Sequence, residues 1–172
     1  MRGVDVRLRP FTVADERGAL EAHAEMAEED FTFLLDWHGT ESWSAYLERV
    51  AAKRPGRGGE PAGWVPSTLL AVEVDGELVG RSSIRFALND FLERAGGHIG
   101  YCVLPRYRRR GYATEILRQS LIIARAEGVD RVLVTCDEDN MASAAVIELG
   151  GGILEDIRPD PPEVPKRRYW ID

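Results

Sequence analysis

Cysteine is scarce in this chain of 172 residues: only Cys102 and Cys136 are present, each within an apolar run. Two such cysteines read as buried thiols in a reducing compartment rather than as a disulfide framework. The three histidines, His23, His38 and His98, make no close-spaced pair with each other or with a cysteine, so zinc-site spacing is missing and no metal is expected. No segment approaches the apolar length of a membrane span, and the start Met1-Arg2-Gly3-Val4 lacks the apolar stretch of a signal peptide. The expectation is a soluble, cytoplasmic protein. Two phosphate motifs are also absent, since no G-x-G-x-x-G follows a strand and no Gly-Lys-Ser/Thr ends a Gly-rich loop. Positive charge does not predominate either. With 22 Lys and Arg against 29 Asp and Glu the formal net charge is −7, which fits nucleic-acid binding poorly.

What is present suits one domain spanning 1–172, with 44% hydrophobic and 30% charged residues. Val4, Val6 and Leu8 alternate with charges and predict a first strand, closed by Pro10. Thr12, with Asp15 three residues on, caps a first helix, and Trp43, Tyr46, Leu47 and Val50 mark a second, capped by Thr40 or Ser42. Prolines and glycines between Lys53 and Pro66 predict a loop. Asp75-Gly76 between two apolar runs predicts a type I′ hairpin, and Gly80 marks a bend or bulge in its second strand. The stretch 87–95 is expected to be a short helical or irregular insertion before the strand His98 to Leu104. Arg131 to Cys136 is a buried strand, parallel to the preceding one because a helix joins them. Asn140 or Asp139 caps the helix Met141 to Leu149. Ile153 to Ile157 and Arg168 to Ile171 are the last strands, with a Pro-rich loop over 158–165.

Residues 99–114 carry the chemistry. An apolar strand ends at Pro105, a loop holds Arg106, Arg108, Arg109 and Arg110, and Gly111 precedes a helix whose stripe is Ala113, Ile116, Leu117, Ser120, Leu121 and Ala124. Gly128 ends that helix. A helix start turns unpaired N–H groups and positive dipole toward one point, which attracts phosphate. Gly111 permits close approach of a ligand, Ala113 stays small, and the flanking guanidiniums suit a diphosphate.

The spacing Arg108-x-x-Gly111-x-Ala113 resembles the acyl-CoA-binding signature of the GCN5-related N-acetyltransferases (GNAT), which reads Arg or Gln, two residues, Gly, one residue, then Gly or Ala. Asn140-Met-Ala-Ser143 and the Gly run after that helix are similar to the family's second motif. The order β-α-α-β-β-β-α-β-α-β-β also matches. The resemblance implies an α/β (α+β) fold, a mixed and mostly antiparallel seven-stranded sheet flanked by about four helices. It further implies that the parallel strands splay and admit acetyl-CoA as acyl donor. Main-chain groups of Cys102, Val103 and Leu104 are expected to hold the pantetheine arm, with the Val103 N–H facing the thioester oxygen. The amides of Arg109, Arg110, Gly111, Tyr112, Ala113 and Thr114 are expected on the diphosphate, with the side chains of Arg108 and Arg109 or Arg110. Asn140 and Ser143 close the cofactor site.

The implied activity is acetyl transfer to a primary amine of a small molecule or protein, a cationic one fitting the acidic surface. Many members place a tyrosine acid on the helix after the Asn motif, but Ile147 stands near that position here. Tyr101, Tyr112 and Tyr169 are the alternatives. His98 is a candidate base, since imidazole titrates near neutrality. Glu28, Glu29, Asp137 and Glu138 are candidates for drawing in a cation or holding water. A cofactor-binding sensor without turnover is the competing reading. The final strand Arg168 to Ile171 is a candidate for exchange in a homodimer. Loops 25–40, 53–66, 87–97 and 158–165 are expected to shape the acceptor pocket.

Overall fold

The computed structural model describes residues 4–56 and 64–172. The readings made on residues 1–3 and on the middle of the 53–66 loop fall outside the described residues. Seven strands form one sheet in the order β1-β2-β3-β4-β5-β7-β6. They are β1 (Val6–Pro10), β2 (Ser67–Val74), β3 (Glu77–Arg85), β4 (Ile99–Val103), β5 (Val132–Asp137), β6 (Ile153–Asp160) and β7 (Glu163–Ile171). Helices α1 (Glu16–Ala27) and α2 (Trp43–Ala52) precede the hairpin, while α3 (Tyr112–Ala126) and α4 (Met141–Leu149) follow β4 and β5. Every strand pair is antiparallel except β4 with β5. Among the described residues no helix is long and apolar enough to cross a membrane.

Alternation along the strands assigns the faces. Leu70, Ile84, Ile99, Val132, Val134 and Tyr169 pack under α3 and α4, and Leu69, Ala71, Cys102 and Leu104 pack under α1 and α2. The stripe expected on α3 is buried from Ile116 onward, and Tyr112 rather than Ala113 supplies its first buried residue. On the other face Phe11, Phe33, Trp37, Trp43 and Tyr46 meet mostly edge to face, with centroids 5.2–6.4 Å apart.

Local signals act largely as the residues predict. The Thr12 amide donates to Asp15 Oδ2 at 2.7 Å, although the first turn, Val13–Asp15, is 3₁₀ and α1 starts after it. Ser42 Oγ caps α2 by accepting from the Ala45 amide at 3.1 Å. Asp75 and Gly76 both have positive φ, 51° and 81°, as a type I′ turn requires. Beside Gly80 the register of β2 against β3 shifts, and a Cβ there would stand 2.1 Å from the Cys102 carbonyl oxygen. Only glycine allows β4 to come that close.

One expectation is corrected. The segment 158–165 is not a long loop: β6 and β7 run on to a tight turn at Pro161-Pro162, a cis peptide. Pro159 is tolerated because β6 is a sheet edge, where a missing N–H breaks no ladder. The last strand, β7, is an inner strand of the sheet, paired with both β5 and β6. The insertion before β4 is short and helical, as the sequence predicts: a π-helical turn, Leu92–Gly96.

Candidate functional site

β4 and β5 share a single ladder pair, Ile99↔Val134, before they diverge. Below that pair the His98 amide still donates to the Leu133 carbonyl at 2.7 Å. Beyond it the facing edges open into a cleft of about 750 Å³. The cleft is lined by β4 (Tyr101, Cys102, Val103), the loop and start of α3 (Arg108, Arg109, Gly111 to Thr114), the end of β5 (Asp137), and α4 with its cap (Asn140, Ser143). Met26, Glu29, Asp30 and Phe31, at the end of α1 and just after it, form the remaining wall. Leu104 donates its amide to the Val79 carbonyl at 2.8 Å. Successive strand residues turn their amides to opposite edges, so the Val103 amide faces the gap.

At the mouth of the cleft the chain makes an anion cradle. Arg109 and Gly111 both take the left-handed conformation, with φ of 62° and 80°. Such turns aim successive amides inward. Among the described residues, no hydrogen-bond partner is found for the amides of Arg109 to Thr114; the first helical bond is Glu115 N–H to the Gly111 carbonyl at 3.4 Å. These are the orphan donors of a helix start, and all of their residues except Arg110 border the cleft.

The arginines divide their work. Arg108 does not reach into the cradle as expected, because its guanidinium grips Glu29 through two bonds of 2.7 and 3.1 Å while Nε donates to the Val103 carbonyl at 3.0 Å. This pairing pushes the Glu29 carboxyl below its ordinary range. Arg108 therefore ties the end of β4 to the turn after α1, and Glu29 is engaged rather than free. Arg110 lies outside the lining, over the Tyr107 ring and bonded to the Arg106 carbonyl at 3.3 Å. Arg109 faces the cleft with no described side-chain partner.

Four other candidates move. Leu104 is buried under α1 and α2 with its amide taken, so it cannot hold a pantetheine arm. Glu28 and Glu138 do not border the cleft, and Tyr169 is buried with its hydroxyl donating to Glu148 at 3.0 Å. His98 is corrected as well. It is 6% exposed, outside the lining, and its Nδ1 accepts the Leu133 amide at 2.8 Å. Burial, together with the nearby Arg85 charge, lowers its pKa to about 4, so the ring is a neutral structural acceptor. A pH effect follows. The unfolded chain binds a proton at this imidazole below its ordinary value of about 6.5 while the folded chain resists it, so stability is lost as pH falls from about 6.5 toward 4. Denaturant unfolding at pH 5 should give about 2 kcal/mol less from this residue than at pH 7.5, and His98→Asn should flatten that difference.

Tyr101 stays in the site and gains interest. Its hydroxyl is buried without a hydrogen-bond partner in bonding geometry, the one such side-chain atom among the described residues. Desolvation raises its pKa to about 12, partly opposed by the neighbouring Ser143 hydroxyl. Asn140 caps α4 by accepting the Ser143 amide at 3.1 Å, which leaves its amide nitrogen for the cleft. Asp30, at the left-handed φ of 56°, lines the cleft with no described ion pair. The sequence candidates Glu28 and Glu29 mark this region, and Asp30 is not among them. Among the described residues no cluster of His, Cys, Asp and Glu could hold a metal ion.

A family model for the GNAT acetyltransferase domain matches residues 5–152. The chain belongs to the GNAT acetyltransferase family. Solved structures agree on the GNAT fold. Mycobacterium smegmatis RimJ in complex with CoA-disulfide superposes with a TM-score of 0.69 at 21% identity, over 96% of this chain and 81% of that one. RimL, a ribosomal L7/L12 alpha-N-protein acetyltransferase in complex with coenzyme A, gives 0.65 at 17% identity, over 96% and 93%. MccE, a microcin C7 self-immunity acetyltransferase in complex with acetyl-CoA and AMP, gives 0.67 at 16% identity, over 97% and 92%. No curated protein matches the sequence. At these identities the likeness concerns the GNAT fold alone, and the acceptor has to be argued from this chain's own residues.

Proposed function

We propose that this protein transfers an acetyl group from acetyl-CoA to a primary amine, in a reducing, cytoplasmic setting that suits its two buried free thiols. The observation that carries this reading is the row of unpaired amides from Arg109 to Thr114, set at the mouth of the gap between two diverging parallel strands. A diphosphate fills the first and an extended pantetheine arm the second, taking the place of the missing ladder. CoA-bound relatives of the same fold support the choice of carrier.

The reaction is direct. A neutral amine nitrogen attacks the thioester carbon, the carbonyl oxygen takes the negative charge, and the Val103 N–H donates to it. The C–S bond then breaks, the nitrogen gives up its proton to water near Asp30, and the sulfur takes a proton from the Tyr101 hydroxyl. That proton transfer is uphill in water, where a thiol has a pKa near 8.5. The burial that disfavours a tyrosinate at Tyr101 also disfavours a thiolate beside it, which works against the uphill step. An orphan hydroxyl also favours turnover over mere sensing, because it lacks a partner until a thiolate arrives.

A thiol-release assay with acetyl-CoA against a panel of primary amines tests the proposal. Release with at least one amine is the expected result; tight cofactor binding with no release from any amine would leave a sensor. Tyr101→Phe should lower kcat roughly 10- to 100-fold, within the usual range for a lost general acid, with cofactor affinity unchanged by calorimetry.

A further inference from the structure

A second cavity, of about 370 Å³, lies on the α1 and α2 face of the sheet between β2, β3, α2 and the segment 89–92. It shares no lining residue with the cofactor cleft. We propose that this cavity binds the carboxylate of a small molecule with an apolar body, held by the Arg85 guanidinium.

The charge balance of the cavity supports this. Asp36 is the one carboxylate among its described lining residues, and its charge is matched by Lys53 Nζ at 2.5 Å. Arg85 is thus a surplus cation. Its one described hydrogen bond, from Nη1 to the Gly96 carbonyl, is long at 3.3 Å. A second buried cation presses on it, since a Cβ placed on Gly100 would lie 3.3 Å from Arg85 Nη1 and 3.6 Å from Arg81 Nη1. Arg81 is fully engaged, donating to the carbonyls of Phe33, Gly100 and Thr32 at 3.0, 3.1 and 2.8 Å. Arg85 therefore has donors to offer where Arg81 has none. Desolvation first, then the Arg81 charge, lowers the Arg85 pKa to about 10, a strain that a bound anion relieves. A guanidinium fork matches a carboxylate through two parallel bonds. Ser67 and Ser83, on the same face of the sheet as Arg85, add hydroxyls, and Val50 and Phe91 supply apolar wall, so the ligand is amphiphilic rather than a bare ion.

The test is titration calorimetry of the full chain with 3-phenylpropanoate and its neutral isostere 3-phenylpropanamide. The acid should bind at least about tenfold more tightly than the amide, as a charge-assisted pair implies. It should bind equally well when acetyl-CoA saturates the cleft. Arg85→Gln should erase the preference for the acid; Arg85→Lys, which keeps the buried charge should the first variant fail to fold, should weaken the acid several-fold. Equal affinities for acid and amide, no binding of the acid, or its displacement by acetyl-CoA overturns the assignment. None of these readouts depends on acetyl transfer. Amines with and without a carboxylate then identify the source: a rise in KM for the carboxylate-bearing amine alone in Arg85→Gln marks the acceptor's own carboxylate, and unchanged KM values alongside lost acid binding mark a separate ligand.

Discussion

Gly111→Glu should weaken acetyl-CoA binding at least about 100-fold in calorimetry while the protein remains folded. A Cβ at Gly111 meets nothing within 4 Å, so the longer side chain has room. The φ of 80° costs a non-glycine residue about 1–2 kcal/mol, which a domain of this size tolerates. What the substitution changes is charge. A carboxylate stands among the amides of Arg109 to Thr114 and competes with the diphosphate for the same donors, where each charge-assisted bond contributes about 1.5–3 kcal/mol. Gly111→Ala separates conformation from charge: it carries the same backbone strain without the anion, and should cost no more than about tenfold. Equal losses in the two variants would mean that conformation, not charge, governs the cradle.

The second large effect is on stability. Arg81→Met should destabilise the fold by about 3 kcal/mol or more and lower Tm by about 10 °C. Arg81 is 4% exposed, and its guanidinium satisfies three carbonyls and stacks 4.7 Å from the Phe31 ring. Removing it relieves the desolvation of a buried cation, which works in the variant's favour. Against this, the carbonyls of Thr32, Phe33 and Gly100 lose their donor, and an unsatisfied buried carbonyl costs about 1–3 kcal/mol. Three such losses outweigh one relief. Because Thr32 and Phe33 follow directly on the wall formed by Asp30 and Phe31, proteolysis should open the segment 28–42 first. A midpoint unchanged in urea would show that water reaches these carbonyls.

The sequence made the parallel pair, the basic loop and the α3 stripe legible because each is local: a strand, a turn and a helix whose periodicities change within sixteen residues. The Asp75-Gly76 turn and the Ser42 and Asn140 caps were legible for the same reason. Arg81 and Arg85 were not, since polar residues in a strand read as solvent-facing until a loop distant in sequence brings carbonyls over them. His98 misled in a similar way. An imidazole at a strand start suggests titration, but the neighbouring strand supplies an amide that needs a neutral acceptor. Arg108 belongs to the family motif and yet is committed to Glu29, a partner on a different element that spacing does not reveal. The prolines of 158–165 suggested a loop because sequence does not say which strand lies at the edge.

The central claim is that the amides leading into α3 grip the diphosphate of an acyl carrier whose thioester lies between β4 and β5. A crystal structure of the protein with acetyl-CoA tests it most directly. The claim predicts diphosphate oxygens at hydrogen-bonding distance from amides within 109–114 and the thioester oxygen on the Val103 N–H. Density for the carrier at any other place, or protein carbonyls already bonded to those amides, would contradict it.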